Sequence, residues 1–229
     1  MPGDFLDVLD VTGVFVFALS GALVAIQHRM DVVGVLTLAL VTGFGGGIAR
    51  DLLIADLPPQ VVRNEGLLLA PLVAGLTAML APRLADRLRQ PVLVLDAVGL
   101  GLFAAVGATR ASGAGLGLVP AVLVGTVAAV GGGLLRDLLA DEIPQILVSG
   151  SRLYAVPVAL GAGIVAVGHA ASANPTLAQT AAVTVTVALR LLALHFGWHA
   201  PVPRRPIRLP RTRAPARPGR AHRSRRARR

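Results

Sequence analysis

Two short strings hold the residues of this chain that could do chemistry. Gly45-Gly46-Gly47 stands just before Arg50-Asp51, and Gly131-Gly132-Gly133 stands just before Arg136-Asp137. Both lie in stretches otherwise rich in Leu, Val, Ala and Ile. Charged residues inside apolar segments are costly, so they pair with one another or mark an ion or proton pathway. Glycine costs a helix about 1 kcal/mol per residue relative to alanine. In return it permits a bend or lets two helices approach closely. Two readings therefore stand side by side: paired kinks lining a path, and close packing. Other chemistries find no support. The chain has no cysteine, which excludes thiolate metal sites and cysteine nucleophiles. There is no Ser-His-Asp arrangement with motif support, no phosphate loop and no metal-ligand cluster, so no enzyme activity and no cofactor is expected. The glycine triplets lack the strand–turn–helix context of a dinucleotide fingerprint.

The elements that must position these residues read as membrane helices. The chain has 229 residues, 54% of them hydrophobic and 15% charged, with a mean hydropathy of +0.70. Soluble domains carry about 25% charged residues, and a membrane-spanning helix needs about 20 mostly apolar ones. Seven such stretches are present: Phe5–Ile26, Val32–Leu57, Leu67–Leu84, Val92–Ala108, Leu116–Ala140, Leu153–Gly168 and Thr176–His195. The fourth is short, and the third and sixth contain proline. The first begins Met1-Pro2-Gly3-Asp4, without the basic start of a signal peptide, and reads as a retained span. All 22 basic residues are arginine, and twelve of them lie between His199 and Arg229. Placing that tail in the cytoplasm satisfies the positive-inside rule and puts the N-terminus outside.

The sequence also repeats itself at an offset of 86. Positions 10–80 and 96–166 share 21 identities in 71 without a gap. Asp10 matches Asp96, Gly13 matches Gly99, Phe17 matches Phe103, and the two glycine–Arg-Asp strings coincide. Three spans per copy, an odd number, force the second copy to enter from the opposite side. The expected architecture is all-α, with two inverted three-helix repeats (about 5–84 and 92–170), a seventh helix at about 176–195, and a disordered tail from 199 to 229. Depth then suggests partners: Asp10 and Arg50 both fall in the outer half, Asp96 and Arg136 both in the inner half. Neighbouring residues on a helix do not face one another, so Asp10 is expected to pair with Arg50 and Asp96 with Arg136. The alternative places these charges at helix ends, reaching for headgroups. Arg190 reads as such an anchor near the cytoplasmic end.

The Asp-x-x-Gly starts at 10 and 96, Phe-Ala-Leu-Ser-Gly at 17–21 and the doubled Gly-Gly-Gly-x-x-Arg-Asp, each followed by Pro58 or Pro144, resemble the prokaryotic trimeric intracellular cation channel family. Its members were long catalogued under a glycine-transporter label. The likeness covers roughly residues 5–196. It implies a homotrimer in the bacterial plasma (inner) membrane, with a pore for monovalent cations, mainly potassium, inside each protomer. Helices 2 and 5 would line the pore, with Gly45, Gly46, Gly47, Gly131, Gly132 and Gly133 as hinges. Arg50, Asp51, Arg136, Asp137, Asp10 and Asp96 would be the charged positions beside it. Inverted repeats equally suit a secondary transporter of a small amino acid such as glycine. The Arg- and Pro-rich tail is expected to touch anionic lipid at the cytoplasmic surface rather than nucleic acid.

Overall fold

A computed structural model describes residues 2–80, 89–148 and 152–199. The tail beyond His199 and the segment 81–88, with Arg83, Arg87 and the expected end of the third span at Leu84, lie outside them. The described chain is helical throughout, with a single isolated bridge between Arg152 and His199. Seven main helices follow one another: α1 (Pro2–Gln27), α2 (Val32–Leu53), α3 (Glu65–Leu80), α4 (Arg89–Gly113), α5 (Leu118–Leu139), α6 (Ala155–Ala170) and α7 (Pro175–Phe196), with one helical turn at Gln60–Arg63. Five are long and apolar enough to cross a membrane; α3 and α6 are apolar but shorter. Leucines and valines such as Val33, Val73, Leu80, Val119, Leu123 and Leu177 point outward, as expected of helices solvated by lipid rather than water.

Local chemistry sets the helix ends. The Asp31 carboxylate caps α2 by accepting from the Gly34 amide, and Asn174 with Pro175 starts α7. The ends of α1, α2, α4, α5 and α6 all close by one device, in which the residue two past the helix enters the left-handed region: Arg29, Ala55, Gly115, Asp141 and Ser172. At the end of α2, the Asp56 amide returns to the Asp51 carbonyl at 2.9 Å. At the end of α5, the Glu142 amide returns to the Asp137 carbonyl at 2.9 Å. This is the Schellman pattern, and it stops α2 at Leu53, short of the expected Leu57. The fourth helix is also longer than the expected Val92–Ala108. It runs on to Gly113 because Arg110, which reads as a loop charge, is neutralised from α1 and stays helical.

α1 and α4 form the centre. α1 packs on α2, α3 and α4, and α4 packs on α1, α5, α6 and α7. Their contact is reciprocal about the offset of 86. A side chain at Gly13 would press on the Phe103 ring at 3.0 Å, and one at Gly99 would press on the Phe17 ring at 2.7 Å. The two phenylalanine rings meet at 5.2 Å. The α2–α5 crossing follows the same rule: Gly46 lies against the Ala128 carbonyl, and Gly132 against the Thr42 carbonyl. Both helices stay α-helical through their triplets.

Candidate functional site

Two buried charge clusters are built on these crossings. In the first, Arg50 on α2 donates from Nη1 to both carboxylate oxygens of Asp10 on α1, at 3.3 and 3.2 Å. Arg110 on α4 approaches the same carboxylate, with Nη2 at 3.1 Å from Oδ2, and reaches out to Asp7 at 3.5 Å. In the second, Arg136 on α5 donates from Nη1 to Asp96 Oδ1 on α4 at 3.1 Å and to Ser20 Oγ at 3.0 Å. Tyr154 Oη donates to the same Asp96 oxygen at 3.3 Å. Arg190 on α7 lies 4.0 Å from Asp96 Oδ2. Each central aspartate is thus held by one arginine of its own copy of the repeat and one from elsewhere.

The structure brings Asp10 to Arg50 and Asp96 to Arg136, and all four are buried. Arg50 and Arg136 are each 1% exposed. In two respects the geometry corrects the sequence reading. Neighbours in sequence do pair: Arg50 Nε donates to Asp51 Oδ1 at 2.8 Å, and Arg136 Nε donates to Asp137 Oδ1 at 2.9 Å. The rule that adjacent residues diverge fails here because both pairs sit in the last turn, where a long arginine can fold back over the helix end. The second oxygen of each aspartate then accepts a backbone amide of the following loop, Gln60 at 2.8 Å and Gln145 at 3.0 Å. Arg190 is the other correction. It is no surface anchor but is 1% exposed. Its Nη1 donates to the Arg152 and Leu153 carbonyls at 3.2 and 2.9 Å, its Nη2 to Gln145 Oε1 at 2.8 Å, and its guanidinium covers the Tyr154 ring at 4.7 Å.

Arg110, Arg190, Tyr154 and Ser20 are therefore cluster members that the repeat does not reveal. Their counterparts at the offset of 86 are Val24, Ala104, Leu68 and Val106, so no doubled motif marks them. Their polarity in an apolar context was the available signal. Within the clusters two carboxylates face two guanidiniums, Asp10 and Asp51 with Arg50 and Arg110, Asp96 and Asp137 with Arg136 and Arg190. This balance matters because an unpaired charge in an apolar interior is costly.

The six glycines do not act as a unit. Gly46 and Gly132 form the crossing, and Gly131 touches Gly46. Gly47 and Gly133 face the clusters: a side chain at Gly47 would find Phe103 at 3.7 Å and Arg50 at 3.9 Å, and one at Gly133 would meet Tyr154 Oη at 2.7 Å. Gly45 borders an open apolar groove of about 340 Å³ with Phe44, Ile48, Leu52 and Leu135, a surface suited to lipid rather than ions. Beside the second cluster lies a polar cavity of about 490 Å³, lined by Gln27, Arg136, Asp137, Glu142, Gln145 and Arg152 among others. Among the described residues no group of three or more His, Asp or Glu could hold a metal ion.

A fold of apolar helices with paired charges buried at its centre defines a membrane protein whose interior is built for polar contacts. Comparison with known proteins makes this specific. A family model described as glycine transporter matches twice, over residues 7–83 and 93–170. The chain is 38% identical over 197 residues to the UPF0126 inner membrane protein YadS of Escherichia coli, covering 85% of this chain and 93% of that one. It is 43% identical over 196 residues to a UPF0126 membrane protein of Streptomyces coelicolor, covering 85% and 89%. Among solved structures, a TRIC trimeric intracellular cation channel orthologue from Rhodobacter sphaeroides superposes with a TM-score of 0.77 at 37% identity, over 84% of this chain and 98% of that one. A second, described under conductance through TRIC cation channels, gives 0.77 at 32% identity over 87% and 98%. The chain belongs to the prokaryotic trimeric intracellular cation channel family, which also carries the glycine-transporter label.

Proposed function

We propose that this protein is a passive channel for monovalent cations, potassium above all, acting as a homotrimer in the inner membrane with a path inside each protomer. The observation that carries the reading is the likeness to TRIC channels over 84–87% of the chain at 32–37% identity, joined to charge clusters buried where such a path would run. All seven helices cross the bilayer in this reading, with the N-terminus outside and the tail inside. The 16 residues each of α3 and α6 reach about 24 Å. That is short of the roughly 30 Å hydrocarbon core, and bilayer thinning or flanking residues make up the difference. The two copies are inverted in this reading, and the reciprocal contacts of Gly13 with Phe103 and Gly99 with Phe17 support a twofold relation between them.

The path runs between α2 and α5 on the side of Gly47 and Gly133, past the two clusters. Gly45 and Gly131 take no part in its wall; Gly46 and Gly132 set the spacing of the crossing. Arginines beside a pore would repel cations. Here each guanidinium is matched by a carboxylate, which leaves the wall near neutral, and the glycines remove side chains from the narrow stretch. The family's other label sustains a second reading, a glycine transporter. Planar-bilayer recording of the purified protein separates the two. A channel gives unitary potassium currents that reverse near the potassium equilibrium potential. Saturable, stoichiometric glycine uptake without current steps contradicts it.

A further inference from the structure

The polar cavity beside the second cluster is bounded by the last turn of α1, at Val24 and Gln27, and by the loop after α5, at Glu142 and Gln145, and one side-chain pair joins the chain just past α1 to that loop. His28 Nε2 lies 3.3 Å from Glu142 Oε1, while His28 Nδ1 lies 3.0 Å from the Val24 carbonyl. A carbonyl oxygen can only accept, so Nδ1 carries a hydrogen. An ionised carboxylate can also only accept, so Nε2 carries one as well. The two contacts coexist only in the imidazolium form. Neutral imidazole keeps one and loses the other.

We propose that His28 and Glu142 form a proton-controlled latch beside this cavity. In the imidazolium form the pair ties the α1–α2 turn to the loop after α5. In the neutral form the tie is released and the cavity that Arg136 lines is free to widen. The setting supports a switch. His28 and Glu142 have side chains 33% and 55% exposed, so protons reach both from the aqueous phase. The cavity that Glu142 lines also has in its wall Gln27, the residue before His28, and the buried cluster's own Arg136 and Asp137. The latch is also absent from the matching place in the other copy. The counterpart of Glu142 is Asp56, engaged by Arg63 at 2.8 Å, and that of His28 is Ala114. It therefore distinguishes two ends that the repeat otherwise makes alike.

Other charged groups stand around His28. Arg29 and Asp31 share its turn, and the Asp31 carboxylate is occupied in capping α2. Asp141 adjoins Glu142 in the facing loop. Arg136, Asp137 and Arg152 line the cavity wall, where Arg136 and Asp137 are engaged with each other. Among the described residues, Glu142 is the acidic group within ion-pair distance of His28.

The latch rests on the proposed conduction only for its effect on current, so it is tested first by distance. The chain has no cysteine, and Gln27→Cys with Ile143→Cys places spin labels at exposed sites on either side of the latch. The trimer in detergent is expected to show a narrow distance distribution near pH 5.5 and a broader, longer one near pH 8. Glu142→Gln and His28→Asn are each expected to be broad at both. Identical distributions at both pH values overturn the latch, as does a pH response that survives Glu142→Gln. In bilayers, alkalinising the tail side from about pH 5.5 to 7.5 is expected to release the tie. Open probability is expected to rise in step, and only from that side. Labels that move while the current stays pH-independent overturn control of the current. Absence of any current overturns the channel reading and leaves the distance test standing.

Discussion

Asp10 accepts from two arginines, Asp96 accepts from Arg136 with Arg190 lying 4.0 Å away, and these shared charges determine what a substitution does. Removing one partner of a buried pair costs about 3–5 kcal/mol, because the remaining charge is left in an apolar interior. Asp96→Asn leaves Arg136 and Arg190 facing a neutral group, and Asp10→Asn leaves Arg50 and Arg110 so. Both variants are expected to melt well below the parent in a detergent thermal scan. Asp56→Asn, in an exposed loop where Gln60 and Arg63 hold the carboxyl below its usual range, is expected to melt with the parent. A double charge swap of Asp10 and Arg50 is expected not to restore stability, because Arg110 then faces a new arginine. The pairs Asp10–Arg50 and Asp96–Arg136 were legible in the sequence from depth and repetition alone. Arg110 and Arg190 were not, because they come from outside the repeated positions. Their roles depend on α4 running past Ala108 and on α7 packing against α4.

At the scale of the helix, existence was legible and termination was not. Seven apolar stretches gave seven helices in the right order, since length and composition decide that. The stops of α2 and α5 fall at Ala55 and Asp141, which take the left-handed conformation where glycine is the usual choice. A sequence offers no sign of that. The same fact predicts that Ala55→Gly and Asp141→Gly raise the melting temperature, by relieving left-handed strain of about 1 kcal/mol each. A lowered melting temperature would show that these turns tolerate their side chains without strain. The glycine triplets were read as hinges or as packing, and the structure divides them by position. Gly46→Ala and Gly132→Ala would drive a methyl into a facing backbone carbonyl, at about 1–3 kcal/mol each. Gly47→Ala, with its nearest neighbour at 3.7 Å, is expected to fold normally. Equal losses at all three positions would contradict this division.

Across the whole molecule, the two copies of the repeat meet through reciprocal contacts, and what lies outside the repeat makes the two ends differ. Arg190 of α7 and Tyr154 fill the space beside Asp96, while Arg110 and the exposed Asp7 stand beside Asp10. A path between α2 and α5 would therefore meet a crowded cluster at one end and a more open one at the other. The account turns on that path passing Gly47 and not the apolar groove at Gly45. Gly47→Cys places the chain's sole thiol beside Arg50, and Leu52→Cys places it on the exposed groove wall. Potassium current is then recorded before and after a charged thiol reagent. The account predicts block at Gly47→Cys and an unchanged current at Leu52→Cys. Current that ignores modification at Gly47→Cys, or that is blocked at Leu52→Cys instead, contradicts it.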